Sequence, residues 1–154
     1  IIQLTGNYEI RRYKNEIYLV KKNHNTQKNY QIVWTGESEI LLPNGSKLIF
    51  KKTKGKGIEL DFLKDKKLII SNRQGGESFK PDLKRPTKKI KQLLQESDLP
   101  PWEREKLPLV YIGENLVCAP SLGIHYEYQV QKSKVGLEIT LLKPAFPSNT
   151  LNDL

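Results

Sequence analysis

Six cationic side chains crowd into twelve consecutive residues of this chain: Lys80, Lys84, Arg85, Lys88, Lys89 and Lys91. Over residues 72–91 they are opposed only by Glu77 and Asp82. The chemistry open to such a cluster is neutralisation of phosphate, the electrostatic footprint of a nucleic-acid contact. Arg73 and Arg104 flank it, and Arg104 is able to pin a loop carboxylate or to reach a phosphate. Just upstream, Arg73-Gln74-Gly75-Gly76-Glu77-Ser78 has the composition of a phosphate-cradling loop. A cradle of that kind needs backbone amides converging at the start of a helix. Here Phe79-Lys80-Pro81 follows, and Pro81 disfavours the helical conformation at Lys80. The glycines are therefore read as a backbone turn.

No catalytic constellation accompanies these residues. His24 and His125 stand alone, and there is no CxxC, no HExxH, no nucleophile elbow and no carboxylate pair at diagnostic spacing. Cys118 is the sole cysteine and cannot form an internal disulfide. Its neighbours Leu116, Val117 and Ala119 place it in a buried strand, so a reducing, cytoplasmic setting is expected. A net charge of +9 and a pI near 9.5 favour a polyanionic partner. No apolar run approaches the roughly 20 residues of a membrane-spanning helix, and the opening IIQL lacks the basic lead of a signal peptide. The absence of any methionine marks the chain as an expected piece of a longer protein. Its 154 residues suit one domain with one core.

The elements that must carry the cations follow from periodicity. YEIRRY and EIYLVKK alternate around Lys14-Asn15, predicting a hairpin whose Arg11, Arg12, Lys21 and Lys22 lie on strand surfaces. HNTQKN is a polar loop, after which YQIVW and EILL read as strands. Pro43-Asn44-Gly45 turns EILL into KLIFKK. KTKGKGIEL is a flexible basic loop that suits either an RNA grip or a solvated hairpin tip. A short strand, residues 68–71, delivers the chain to the glycine turn. From Thr87 to Glu96, Ile90, Leu93 and Leu94 recur at helical spacing, with Thr87 as the expected N-cap. Lys88, Lys91 and Gln95 take the other face, where cations at the helix start oppose the macrodipole. Pro100-Pro101 breaks the chain before a second helical turn, with Trp102 expected to plug the core. LPLVYIG and LVCAPSLGI form a hairpin across Glu114-Asn115, HYEYQVQK and GLEITLLK a final strand pair, and residues 146–154 a flexible tail.

The order RQGGE, then KK followed by LLQE, then LPPWEREKLPLVYIGENLVCAPSLGI closely resembles the C-terminal signature of bacterial tRNA(Ile)-lysidine synthetase. GNYEIRRYKNEIYLV, residues 6–20, resembles the segment that leads into the same domain. The two blocks cover nearly half of the chain, and the Pro-Pro-Trp-x-Arg string followed by Pro-Leu is specific rather than compositional.

What the resemblance implies is an α+β, strand-rich and β-sandwich-like domain with one main amphipathic helix, similar to a domain of the phenylalanyl-tRNA synthetase beta subunit. It would occupy residues 1–145, with the hairpin at 6–22, the family signature at 67–125 and the tail at 146–154. The parent enzyme is a ligase that uses ATP, with magnesium, to join lysine to the wobble cytidine of tRNA(Ile). Its ATP loop lies in an N-terminal catalytic domain outside this chain, so the fragment is expected to have no cofactor and no catalytic residue of its own. The expected tRNA contacts are Arg73, Lys80, Lys84, Arg85, Lys88, Lys89, Lys91 and Arg104. Expected partners are tRNA(Ile), the N-terminal catalytic domain and a possible homodimer, with no membrane. The alternative is a docking module for the catalytic domain or a second subunit, without direct RNA contact.

Overall fold

The computed structural model describes residues 2–3, 6–22, 29–142 and 149–150. The chain divides into two units, Ile1–Lys28 with Lys143–Leu154, and Asn29–Leu142. Most of the polar loop expected over HNTQKN, and most of the expected tail, lie outside the described residues.

The first unit begins with β1 (Ile2–Gln3), β2 (Tyr8–Tyr13) and β3 (Glu16–Lys21), an antiparallel set in which Tyr13 faces Glu16 and Tyr8 faces Lys21. The expected hairpin is present, and Lys14 supplies the left-handed turn residue at φ 54°. Glu9 is buried and carries its charge inside by pairing with the Arg11 guanidinium.

The second unit starts with β4 (Gln31–Trp34), β5 (Glu39–Leu41) and β6 (Lys47–Lys54). Between β5 and β6 the Pro43-Asn44-Gly45 turn forms as read. Gly45 sits at φ 88°, its amide donates to the Leu42 carbonyl at 2.9 Å, and the Asn44 side chain accepts from the Ser46 amide at 2.9 Å. Next come β7 (Ile58–Glu59), β8 (Leu68–Asn72), β9 (Ser78–Phe79) and β10 (Lys88–Lys89). Helices α1 (Ile90–Glu96) and α2 (Pro101–Arg104) precede β11 (Pro108–Ile112), β12 (Asn115–Ala119), β13 (Gly123–Ile124) and β14 (Val135–Leu142). A last short strand, β15 (Asn149–Thr150), returns to the first unit and pairs with β3.

Two sheets organise the second unit: a five-stranded one ordered β13-β12-β11-β8-β4, and a four-stranded one ordered β5-β6-β14-β7. Side-chain alternation decides how they pack, because successive residues of a strand point to opposite faces. On β11, Val110 and Ile112 join Leu68, Ile70 and Val117 of the same sheet and Leu48, Phe50, Ile58 and Leu137 of the other in one apolar cluster. Leu109, of opposite parity, packs with Phe79, Ile90, Leu94, Leu107 and Ala119 in a second cluster beneath α1. The five-stranded sheet is thus covered on both faces, which is why Leu68, Ile69 and Ile70 of β8 and Leu109 and Val110 of β11 follow one another as apolar residues rather than alternating with polar ones. A strand-rich α+β sandwich with a main helix is the architecture expected from the sequence.

Two expected elements are replaced. HYEYQVQK is not a strand: His125 caps a 3-10 turn at Tyr126–Tyr128, its ring nitrogen accepting the Glu127 amide at 3.2 Å. β14 pairs instead along its length with β6, from Val135 opposite Lys54 to Leu142 opposite Lys47. The Thr87 N-cap also fails. Lys88 and Lys89 pair as a strand with Phe79 and Ser78, and the helix begins only at Ile90, with Lys89 extended at φ −70°, ψ 142°. Pairing with β9 keeps Phe79 buried under the helix, and the Ile90 amide donates to the Glu77 carbonyl at 2.8 Å. Lys88 and Lys89 therefore precede the helix, and the macrodipole argument holds for Lys91 alone.

Candidate nucleic-acid interface

The cationic segment grows out of the end of β8. Asn72, buried there, donates to the Asn29 side chain at 2.8 Å and accepts the Tyr30 amide at 2.9 Å, which fixes the point of departure. Gly75 and Gly76 then turn the backbone at φ 103° and 82°, values that favour glycine. Two amides of this turn are already occupied: the Glu77 carboxylate accepts from the Gln74 amide at 2.7 Å and from the Gly75 amide at 2.9 Å. Partial burial pushes the Glu77 carboxyl up, but the Gly75 and Gln74 amides outweigh it and hold the pKa below the ordinary carboxylate range. An internal anion thus sits where a phosphate cradle would need a vacant nest, and the residues do not fit the phosphates of ATP.

Residues 80–87 form a basic loop organised by Asp82. Its carboxylate accepts the Lys84 amide at 3.0 Å, its carbonyl accepts the Arg85 amide at 3.2 Å, and its side chain lies 3.9 Å from the Arg85 Nε in an exposed pair. The loop is moored to the 3-10 turn. The Tyr126 amide donates to the Lys80 carbonyl at 2.8 Å, and the Gln129 side chain donates to the Pro81 carbonyl at 2.9 Å. Lys80 itself is half-buried, with its ammonium 5.6 Å from the centroid of the Tyr126 ring. Sequence reasoning could not see this contact, because the two residues belong to elements that only the fold brings together.

The expected contact residues fall into three groups. Lys84, Lys89 and Lys91 are exposed and, among the described residues, form no ion pair. Lys80, Arg85 and Lys88 are partly engaged, Lys88 through both Glu96 oxygens at 3.1 and 3.0 Å. Arg73 and Arg104 hold backbone: Arg73 Nη1 donates to the Arg104 carbonyl at 3.2 Å, and Arg104 Nε donates to the Leu99 carbonyl at 2.7 Å. The Arg73 guanidinium thus ties α2 to the end of β8, whereas Arg104 holds the turn that leads into α2. Trp102, expected as a core plug, is half-buried and belongs to neither apolar cluster.

A cleft of about 450 Å³ opens beside this unit, and its lining includes Glu77, Glu114, Glu127, Tyr111 and His125. Its acids repel phosphate, whereas the loop and α1 carry the cations. Burial, followed by the Glu77 charge, pushes the Tyr111 hydroxyl up, leaving it a neutral donor. His125 stacks on Tyr126 at 5.0 Å and meets the Tyr128 ring edge-on at 5.8 Å. Cys118 is buried and its thiol is pushed up to about 12 by desolvation, far from a nucleophile's range. No helix among the described residues is long and apolar enough to cross a membrane.

Comparison with known proteins bears on these observations. Residues 68–141 match the family described as the TilS substrate C-terminal domain. A tRNA(Ile)-lysidine synthase from Xanthomonas campestris pv. campestris is 38% identical over 111 residues, covering 72% of this chain and 24% of the relative. One from Nitrosomonas europaea is 31% identical over 132 residues, covering 85% and 29%. The chain spans less than a third of the length of either relative. A crystal structure of a TilS C-terminal domain superposes with a TM-score of 0.55 at 18% identity, covering 75% of this chain and 97% of that one, a likeness of fold.

Proposed function

From the premise that the chain belongs to the tRNA(Ile)-lysidine synthase family, through a TilS substrate C-terminal domain at residues 68–141, we propose that it binds and positions tRNA(Ile) in the cytoplasm. Bond formation, with ATP, magnesium and lysine, is assigned to an N-terminal catalytic domain of the parent enzyme, the chain's second partner. The observation that carries this reading is the state of Lys84, Lys89 and Lys91: exposed, unpaired with acids among the described residues, and carried on a segment whose Glu77 and Lys80 carbonyls accept the Ile90 and Tyr126 amides. Lys80, Arg85 and Lys88 surround them with further charge that an RNA phosphate can compete for.

The chain's own groups suit holding rather than reacting. His125 is committed to a turn amide and Cys118 is buried and protonated, so neither is a base or nucleophile for the ligation. A filter-binding titration of tRNA(Ile) from low to high salt tests the reading. Affinity should fall steeply, by about 0.7 to 0.9 logarithmic unit per tenfold salt for each phosphate neutralised. A flat profile, or no binding at all, overturns it in favour of a docking module.

A further inference from the structure

We propose that the cleft at the Trp34 end of the five-stranded sheet takes one unpaired nucleotide of the bound RNA, its base stacked on the indole and its phosphate held by Lys66 and Lys67. The proposal rests on the RNA-holding reading but concerns a separate place. Trp34 faces Leu68 in the β4–β8 pairing, at the opposite end of β8 from Asn72, where the basic loop departs. Five residues of strand separate the two ends by about 13 to 17 Å, given a rise near 3.3 Å per residue.

The cleft encloses about 470 Å³, lined by Trp34, Thr35, Lys66 and Lys67 together with Lys64 and Asp65. That volume falls within the usual range for small-ligand sites, roughly 300 to 1,000 Å³, and is too small for a duplex. Trp34 is a rigid platform. Its ring stacks on Phe50 with centroids 5.4 Å apart and planes 24° from parallel, and its Nε1 donates to the Glu37 carbonyl at 2.8 Å. An indole fixed on one side and lining a cleft on another has the form of a stacking surface for a base.

The charges beside it are also positioned. Lys64 is paired with Asp61 at 3.0 Å, whereas Lys66 and Lys67 form no ion pair among the described residues. The Lys67 carbonyl accepts the Gly113 amide at 3.4 Å, joining this segment to the β11–β12 turn. An indole and two lysines without acid partners among the described residues line the same cleft, and together they match the base and the phosphate of a nucleotide. An acidic peptide would use the lysines and leave the indole idle. Paired RNA cannot offer a base to it, because its bases are stacked inside the helix.

Trp34 and Trp102 are the two tryptophans of the chain, so in a W102F protein the emission reports Trp34 alone. This protein is titrated with a single-stranded RNA tetranucleotide, with a short RNA duplex and with a polyglutamate peptide. The tetranucleotide should quench the emission saturably, the duplex and the peptide should not, and K66E/K67E should weaken the quenching about tenfold or more. The double lysine variant leaves the Trp34–Phe50 stack in place, which its near-ultraviolet circular dichroism verifies. Absence of quenching by the tetranucleotide overturns the proposal, and equal or stronger quenching by polyglutamate overturns it in favour of a protein partner. The duplex is also followed by filter binding, which reads the basic loop. Retained duplex binding without tetranucleotide quenching defeats this site alone, whereas loss of both defeats the RNA-holding reading as well.

Discussion

Lys88 reaches from the strand before α1 to Glu96 at the helix's far end, Nζ to Oε2 3.0 Å, and so bridges the whole length of the helix on its outer side. The pair is partly exposed, and pairs at the surface contribute about 0 to 1 kcal/mol. Its effect on binding should exceed its effect on stability, because Glu96 withholds Lys88 from phosphate. E96Q should tighten tRNA binding at low salt by a few-fold, with little change in melting temperature. A filter-binding series beside a thermal melt checks both.

Replacing Lys84, Lys89 and Lys91 together with glutamine removes the three exposed cations without acid partners. If each neutralises one phosphate, the salt dependence should lose about 2 to 3 units of slope. Their exposure predicts a melting temperature close to that of the parent chain. The slope of log affinity against log salt, compared between the two proteins, decides this.

Glu77 links the glycine turn to acid stability. Its pKa is lowered in the folded chain, so its contribution is fully present above the unfolded carboxylate range, near 4.3, and is lost as pH falls through the lower folded value. The parent chain should therefore lose stability on acidification below about pH 5, and E77Q should show a shallower acid limb. Urea midpoints measured from pH 7 down to pH 3 give the comparison.

Gly57 and Gly75 both adopt left-handed conformations, at φ 94° and 103°, for different reasons. A Cβ at Gly57 would be driven into the Leu137 backbone, whereas one at Gly75 meets nothing within 4 Å. G75A should cost only the conformational penalty, about 1 to 2 kcal/mol. G57A adds a backbone clash and should cost more than about 2 kcal/mol. Urea denaturation of the two variants orders them.

Cys118 should resist alkylation in the native chain at pH 8, because burial holds the thiol protonated up to about 12. Reaction with iodoacetamide should await unfolding. Labelling followed by mass spectrometry, with and without urea, measures the protection.

Much of this was legible in the sequence, for reasons that are local. The Pro43-Asn44-Gly45 turn, the Lys14-Asn15 hairpin and the Ile90/Leu94 helix face are each fixed by neighbours a few residues away. The failures came where distant pairing overrode local preference. Thr87 had the chemistry of a cap, but β9 captured Lys88 and Lys89 first. HYEYQVQK alternated like a strand, yet β6 offered β14 a longer partner. At the site, the cations were visible by type, but their availability was not. Whether Arg73 holds a phosphate or the Arg104 carbonyl depends on a contact spanning 31 residues.

The two-sided covering of β11 restricts how this chain can change length. One residue gained or lost inside that strand would send Leu109 toward the place of Val110 and reverse every neighbour after it, emptying both apolar layers at once. Insertions and deletions are therefore barred from the centre and admitted at the periphery, above all in the exposed stretch 82–87. The cationic surface can be lengthened, shortened or recharged over evolutionary time while the scaffold beneath it stays in frame.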